Sequence, residues 1–423
     1  MGPEHNRPRR VLLLASAHSY RVQAFVAAGE RLGVETPVAV DMPPELAALW
    51  GQRLGVPFAD RARAIAAIAG YAAERPLAAI LAVDDSGSLL AAEASAALGL
   101  PHNAPDAALA ARNKHAMRQR LRDGGVPVPE FRLCSTGDDL AQLAREVPYP
   151  CVIKPLELNG SRGVIRADDP AAFIAAAERL AALLRAIDPD PGPKPFLVEG
   201  FIPGVEVALE GLLDDGRLQV LALFDKPDPL DGPFFEETLY VTPSRLPAAA
   251  QAAIVTCTAQ AAAALGLRMG PLHAELRLND AGPWLVEVAG RSIGGNCSKT
   301  LRFGTDSTLE ELILRQACGL PIESLSRQGA AGGVMMIPIP GAGILRGVAG
   351  VAEAAAVPGI EAVEITARLH YPLVPLPEGD SYLGFIFARG ATPEAVEAAL
   401  RAAHAKLRFK IAPAIELRAE PRG

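Results

Sequence analysis

The sequence is poor in the features that identify many protein classes at a glance. Its five cysteines, Cys134, Cys151, Cys257, Cys297 and Cys318, are scattered and odd in number, with no C-x-x-C pair and no zinc-type spacing. A reducing cytosol is the expected compartment. No apolar run approaches the length of a membrane span, so no membrane is expected as a partner. Positive charge is in deficit: the net charge is −7 and the pI near 5.6, whereas nucleic acid or an anionic membrane would call for a basic surface. No nucleic-acid partner is expected.

Several catalytic signatures are missing too. There is no G-x-S-x-G elbow and no H-E-x-x-H helix. The segment Ser16-Ala17-His18-Ser19-Tyr20, which follows the first apolar run, contains no G-x-G-x-x-G. Gly294 to Thr300 imitates a P-loop, but Ser298 stands where a glycine must precede Lys299-Thr300. Gly341, Gly343 and Gly347 miss the dinucleotide spacing by one residue.

What is present is a chain of 423 residues, half of it hydrophobic and 21% charged, enough for two to four globular domains. Arg9-Arg10 ahead of Val11–Ala15 mimics a signal peptide, yet the apolar run is very short, and a first buried strand is the expectation. A helix over 22–32 and strands over 37–40 and 79–83 complete a parallel α/β unit. Asp84-Asp85-Ser86-Gly87 follows the strand ending at Val83, where such sheets bind ligands, although a helix N-cap would account for it equally well. One polar helix is expected over 107–123, and a compact unit over 130–200. That unit comprises a strand at 151–154, a Gly/Ser/Arg loop, a helix over 170–187 and a strand at 196–199. After Pro321 the expected order is strand 334–339, helix 348–356, strands 363–367 and 382–388, and helix 393–407.

The most informative pair is Glu275 and Glu287. They lie in two alternating runs, Leu272–Leu278 and Trp284–Val288, separated by the turn residues Asn279-Asp280-Ala281-Gly282-Pro283. A turn centred on Ala281 would set the two glutamates opposite each other on one face. Like charges so placed repel, so something cationic is expected between them, and Mg²⁺ with its oxygen-ligand preference suits the place. Arg291 falls on the same side by strand parity, and Gly294-Gly295 follows. His273 shares the face of Glu275, although a lone strand histidine is more often structural.

Other groups are weaker. Lys154 ends a buried strand before Asn159-Gly160-Ser161-Arg162-Gly163, where glycines let backbone amides approach phosphate. A plain hairpin turn would look the same. Glu199-Gly200-Phe201-Ile202-Pro203-Gly204-Val205-Glu206 could serve a nucleotide as hinge and ribose clamp, or be an edge strand and turn. Lys226 and Glu237, near Phe234 and Phe235, could line a pocket or lie in a solvated loop.

Taken in order, these stretches resemble the ATP-grasp superfamily. They are Arg112-Asn113-Lys114, Cys151–Lys154 with its glycine-rich loop, Val198–Glu206, His273–Arg277 and Leu285–Arg291. The resemblance implies ATP with Mg²⁺ (or Mn²⁺) as cofactors, with Lys114, Lys154 and the loop of Ser161, Arg162 and Gly163 at the phosphates. It puts Glu199, Gly200 and Ile202 at the adenine, Glu206 at the ribose, Glu275 and Glu287 on the metal, and Arg291 as the catalytic residue at the transition state. Ala289 departs from the family's usual Asn. Gly333–Pro340 and Pro375–Arg389, with Asp225-Lys226-Pro227, Gly232–Glu237 and Arg291–Gly295, are similar to the L-amino-acid ligase group.

The implied architecture is α/β and α+β. A parallel N-terminal domain (1–105) precedes an ATP-grasp domain (106–325) with a mobile lid at about 130–200, and a C-terminal α+β domain (326–423) follows. The implied reaction is ATP-dependent coupling of an amino-acid carboxylate to an amine, both small molecules, through an acyl phosphate. His273, Lys226, Glu237, Asp84, Gly294 and Gly295 are candidates for substrate contacts, and a homodimer is common in folds of this kind. The alternatives are a biotin-carboxylase-like enzyme activating bicarbonate and a non-catalytic nucleotide-binding regulator.

Overall fold

A computed structural model describes residues 9–51 and 54–413; the ends of the first and last expected domains, 1–8 and 414–423, lie outside the described residues. The chain divides into two compact units whose segments alternate along the sequence. The first takes the residues up to Arg132, Ile202–Asp225 and Ser244–Gly329, and the second takes Leu133–Phe201, Lys226–Pro243 and the residues from Ala330 onward.

In the first unit, a parallel sheet runs in the order Leu54–Gly55, Val38–Val40, Val11–Ala15, Ala79–Ala82. Val11–Ala15 is buried throughout, as expected of a strand covered on both faces. The helix over Val22–Leu32 ends at Gly33, whose left-handed φ of 64° closes it. Helices at Pro44–Leu49 and Arg61–Glu74 were not foreseen, because their alanine-rich sequences carry little helical periodicity.

The same unit contains an antiparallel run in the order Gly282–Ala289, Gly270–Asn279, Val205–Asp214, Arg217–Lys226. Its core gathers Leu209, Leu272, Ala274, Leu276, Leu285 and Val288 with Met117, Leu121, Ile254 and Leu265. The absence of a span-length apolar run needs one amendment. Helix Ala248–Leu265, with 18 residues at mean hydropathy 1.4, is long and apolar enough to cross a bilayer by length and composition alone. Its Ile254, Cys257, Ala261 and Leu265 belong to this core. The single helix expected over 107–123 is two helices, Pro105–Arg112 and Lys114–Asp123. Asn113 breaks it with extended backbone and accepts a hydrogen bond from the Ala116 amide, capping the second helix.

In the second unit, Pro195–Gly200, Cys151–Pro155 and Ile165–Ala167 pair in that order, with Phe173, Ala177 and Leu180 of helix Pro170–Ile187 in their core. A further run orders Leu239–Thr242, Ala331–Ile337, Gly384–Gly390 and Ile360–Ile365. Helix Pro393–His404 packs on it through Val396, Leu400 and Ala403. The helix expected over 348–356 forms over Val351–Ala355, and its first two expected residues, Val348 and Ala349, instead end the strand Gly343–Ala349. Gly350 separates strand and helix at φ 83°, where an added Cβ would fall 2.0 Å from the Lys406 carbonyl oxygen. Pairing with Phe409 and Arg408 holds Val348 and Ala349 in the strand.

Candidate functional site

The hairpin sets Glu275 directly opposite Glu287, by a route the sequence did not disclose. Asn279 pairs with Gly282, so the turn has two residues, Asp280 and Ala281, and is not centred on Ala281. That register alone would place Glu275 against Val286. A β-bulge shifts the pairing after Leu276–Leu285 and restores the two glutamates to one face. Leu285 and Val288, three residues apart, are consequently both fully buried. The bulge carbonyl of Val286 accepts a 2.9 Å hydrogen bond from the buried Arg118.

The repulsion expected between the carboxylates is relieved by the chain itself. Lys114 Nζ lies 3.4 Å from Glu287, and His273 Nε2 lies 3.5 Å from Glu275. His273 is also the direct cross-strand partner of Glu210, with Nδ1 3.4 Å from its carboxylate. Burial opposes charging His273, yet Glu210 and Glu275 together outweigh it and lift its pKa above the ordinary value. Burial pushes the Glu210 carboxyl up, and His273 offsets this only partly. The Ile293 amide donates to Glu210 at 3.0 Å, so this fully buried carboxylate also anchors the segment just beyond Arg291.

Arg291 donates to Asp85 at 2.6 Å and to the Ser292 carbonyl at 3.0 Å. Burial works against its charge, but Asp85, then Glu287 and Glu210, outweigh that and raise its pKa. Asp85, not its neighbour Asp84, therefore faces the candidate catalytic cation. Asp84 instead accepts from the Ser16 amide (3.0 Å) and from the hydroxyls of Ser16 and Ser19 (3.1 and 3.0 Å), shaping the loop after the first strand. Arg112 donates to the Asp85 carbonyl at 2.6 Å, and Arg21 donates to the Ser292 carbonyl at 3.0 Å. The Gly295 amide donates to the Tyr20 hydroxyl at 2.9 Å, and Gly294 beside it would bring a Cβ within 3.8 Å of that hydroxyl. A cavity of about 300 Å³ adjoins this cluster, lined by Asp85, Arg112, Gly290 and Ser292 together with Phe25, Ile80 and Ile313. Sequence reasoning picked Asp84 rather than Asp85 from the segment Asp84–Gly87, and missed Glu210 and Arg21. Period-two parity with Glu206 on the same strand could have pointed to Glu210, whereas nothing local marked Arg21.

The other candidates pair among themselves. In the first unit, Glu206 lies opposite Arg277 and accepts from it at 2.9 Å, while Arg277 also donates to the Ile202 carbonyl at 2.9 Å. In the second unit, Lys154 and Glu199 form a buried ion pair across adjacent strands, where Gly200 pairs with Cys151. The buried Lys226 pairs with the partly exposed Glu237 at 2.6 Å, and the lysine also lies over the Tyr240 ring. Ser161 has a left-handed φ of 55°, Arg162 donates to the Glu378 carbonyl, and the Gly163 amide donates to the Pro377 carbonyl, both at 2.8 Å. All five cysteines are buried and none forms a disulfide; burial pushes the Cys151 thiol up to about 12 and the Cys257 thiol up to about 11, which makes them poor nucleophiles.

Residues 147–300 match the ATP-grasp domain family, and residues 335–412 match L-amino acid ligase C-terminal domain 2. The chain carries an ATP-grasp domain and an L-amino-acid-ligase C-terminal domain. An uncharacterized protein of Sinorhizobium fredii is 24% identical over 98% of this chain and 86% of its own length. Alanine–anticapsin ligase of Bacillus subtilis is 29% identical over 54% of this chain and 51% of its own, so the chain spans about half the length of that ligase. The crystal structure of an L-amino acid ligase from Bacillus licheniformis superposes with a TM-score of 0.76 at 24% identity, covering 96% of this chain and 100% of that one. The likeness establishes the shared ATP-grasp fold. Glu199, Glu206, Glu275, Glu287 and Arg291 all fall inside the ATP-grasp match.

Proposed function

We propose that this ATP-grasp protein is an ATP-dependent carboxylate–amine ligase. It would join amino acids through an amide bond, by way of an acyl phosphate, and release ADP and phosphate. The observation that carries this reading is the bulge-set register of Glu275 and Glu287 beside the partly buried Arg291.

A carboxylate at neutral pH is a poor electrophile, and phosphorylation gives it a good leaving group. The two glutamates offer hard oxygen donors on one partly exposed face, a donor set that fits Mg²⁺. When bound, the ion would neutralise phosphate charge. Lys114 would exchange Glu287 for a nucleotide phosphate, and Lys154 would likewise turn from Glu199 to phosphate. The glycine-rich loop would add backbone donors, and Glu206 would take the ribose hydroxyls. Arg291, held by Asp85 with its charge secured by its surroundings, would stabilise the oxyanion formed when the amine attacks. The cavity beside it would accept an apolar substrate side chain. The L-amino-acid-ligase C-terminal match supports an amino acid over bicarbonate as the activated acid.

The test is phosphate release from ATP and Mg²⁺ over a panel of amino acids, singly and in pairs, with bicarbonate as control and products read by mass. Pair-dependent release with a new amide supports the ligase. Release with bicarbonate alone would replace it with a carboxylase, and nucleotide binding without turnover would replace it with a regulator.

A further inference from the structure

Within the second unit, the glycine-rich loop is tied to a segment more than two hundred positions later. The loop itself has little to fix it. Gly160, Ser161 and Gly163 all have left-handed φ (61°, 55° and 72°), and its internal backbone bonds are Arg162 to Asn159 and Val164 to Ser161, at 3.2 and 3.1 Å. For a non-glycine such as Ser161, that conformation persists only where the surroundings impose it.

The surroundings here are Pro377 to Asp380. The Gly163 amide donates to the Pro377 carbonyl at 2.8 Å, and Arg162 Nε donates to the Glu378 carbonyl at 2.8 Å. A guanidinium nitrogen of Arg162 also lies 3.7 Å from Asp380. The segment is itself held by the Glu378 carboxylate, which accepts two hydrogen bonds from Arg179, at 2.5 and 2.8 Å. Arg179 belongs to helix Pro170–Ile187 and lies over the Phe234 ring at 4.9 Å. A fork-to-fork pair of this kind fixes direction as well as distance. The chain of contacts runs from a rigid helix through Glu378 to both residues at the end of the loop.

We propose that Glu378 is a positioning residue: its pairing with Arg179 sets the shape of the glycine-rich loop for nucleotide phosphates. The C-terminal domain thereby takes part in nucleotide binding without touching the nucleotide. The nucleotide clause rests on the function proposed above; the loop clause stands apart from it. Because both side chains of the pair are more than a third exposed, removing it leaves the fold intact, with a melting shift below about 4 °C. What should change is the loop.

The experiment uses full-length Glu378→Ala, Arg179→Ala and the exchanged pair Arg179→Glu/Glu378→Arg. Hydrogen exchange is followed on the nucleotide-free protein, and binding of MgADP by calorimetry. In Glu378→Ala the Gly163 amide should exchange about tenfold faster or more, and MgADP should bind about tenfold more weakly, with the exchanged pair recovering both. Unchanged exchange at 160–164 overturns the proposal, as does tighter MgADP binding, which would make the contact a restraint on the loop. If exchange responds while the wild type binds no MgADP, the nucleotide reading falls and the loop-positioning role of Glu378 stands.

Discussion

Asp85 and Arg291 are 206 positions apart and meet in a 2.6 Å ion pair within one compact unit. Burial would raise the Asp85 carboxyl, but Arg291, then Arg21 and Arg112, outweigh it and hold it below the ordinary carboxylate value. A lowered folded-state pKa contributes stability above the unfolded value and loses it as pH falls through the folded one. Asp85→Asn should cost about 3 kcal/mol near neutrality, since Arg291 stays largely shielded from water without its anion. The deficit should shrink as urea titrations move below about pH 4. A deficit independent of pH would show that the charge of Asp85 is not what matters.

The Lys154–Glu199 pair is buried on both sides. Lys154→Met alone should destabilise by about 3–5 kcal/mol by stranding the glutamate, whereas Lys154→Met/Glu199→Leu should recover most of that. Neither variant should bind MgADP. Calorimetry that finds full affinity in the double variant would remove both residues from the nucleotide site.

Glu287→Gln removes one of the two opposed carboxylates and leaves a neutral acceptor near Lys114. Ligase turnover should drop by about 100-fold or more and the midpoint for Mg²⁺ should rise, while the loss of like-charge opposition keeps the melting temperature close to wild type. Arg291→Ala should lower turnover by about 100- to 1000-fold, with the smaller effect on nucleotide affinity. Full ligase activity in either variant would defeat the proposed function.

Glu210 contacts both His273 and the Ile293 amide. Glu210→Ala should cost about 3 kcal/mol in chemical unfolding, and the Ile293 amide should lose protection from hydrogen exchange. If Ile293 exchanges as in wild type, the segment carrying Arg291 is held by something else.

The legible parts of this protein were those governed by local pattern. Helices Val22–Leu32 and Pro170–Ile187 were read to the residue, because amphipathic spacing in the first and an Asp-Pro start in the second are local signals. The glutamate pair was right in outcome and wrong in route. The sequence suggested a turn centred on one residue, whereas the strands meet through a two-residue turn corrected by a bulge, which the core demand of Leu285 and Val288 imposes. The division of 107–123 at Asn113 shows the reverse case, where a capping side chain interrupts what composition presents as one helix.

By itself the sequence determined that two glutamate-bearing strands form a hairpin, that a lysine closes a buried strand before a flexible loop, and that an arginine follows the second glutamate. Period-two alternation and turn chemistry act over a few residues, so they can be read along the chain. Only the tertiary structure decided which charges neutralise which: Asp85 rather than Asp84 at Arg291, Lys114 at Glu287, Glu210 behind His273, and Glu378 behind the glycine-rich loop. Those pairings join segments brought together by burial of separate apolar faces, and a charge removed from water takes as its partner whichever opposite charge the packing places beside it.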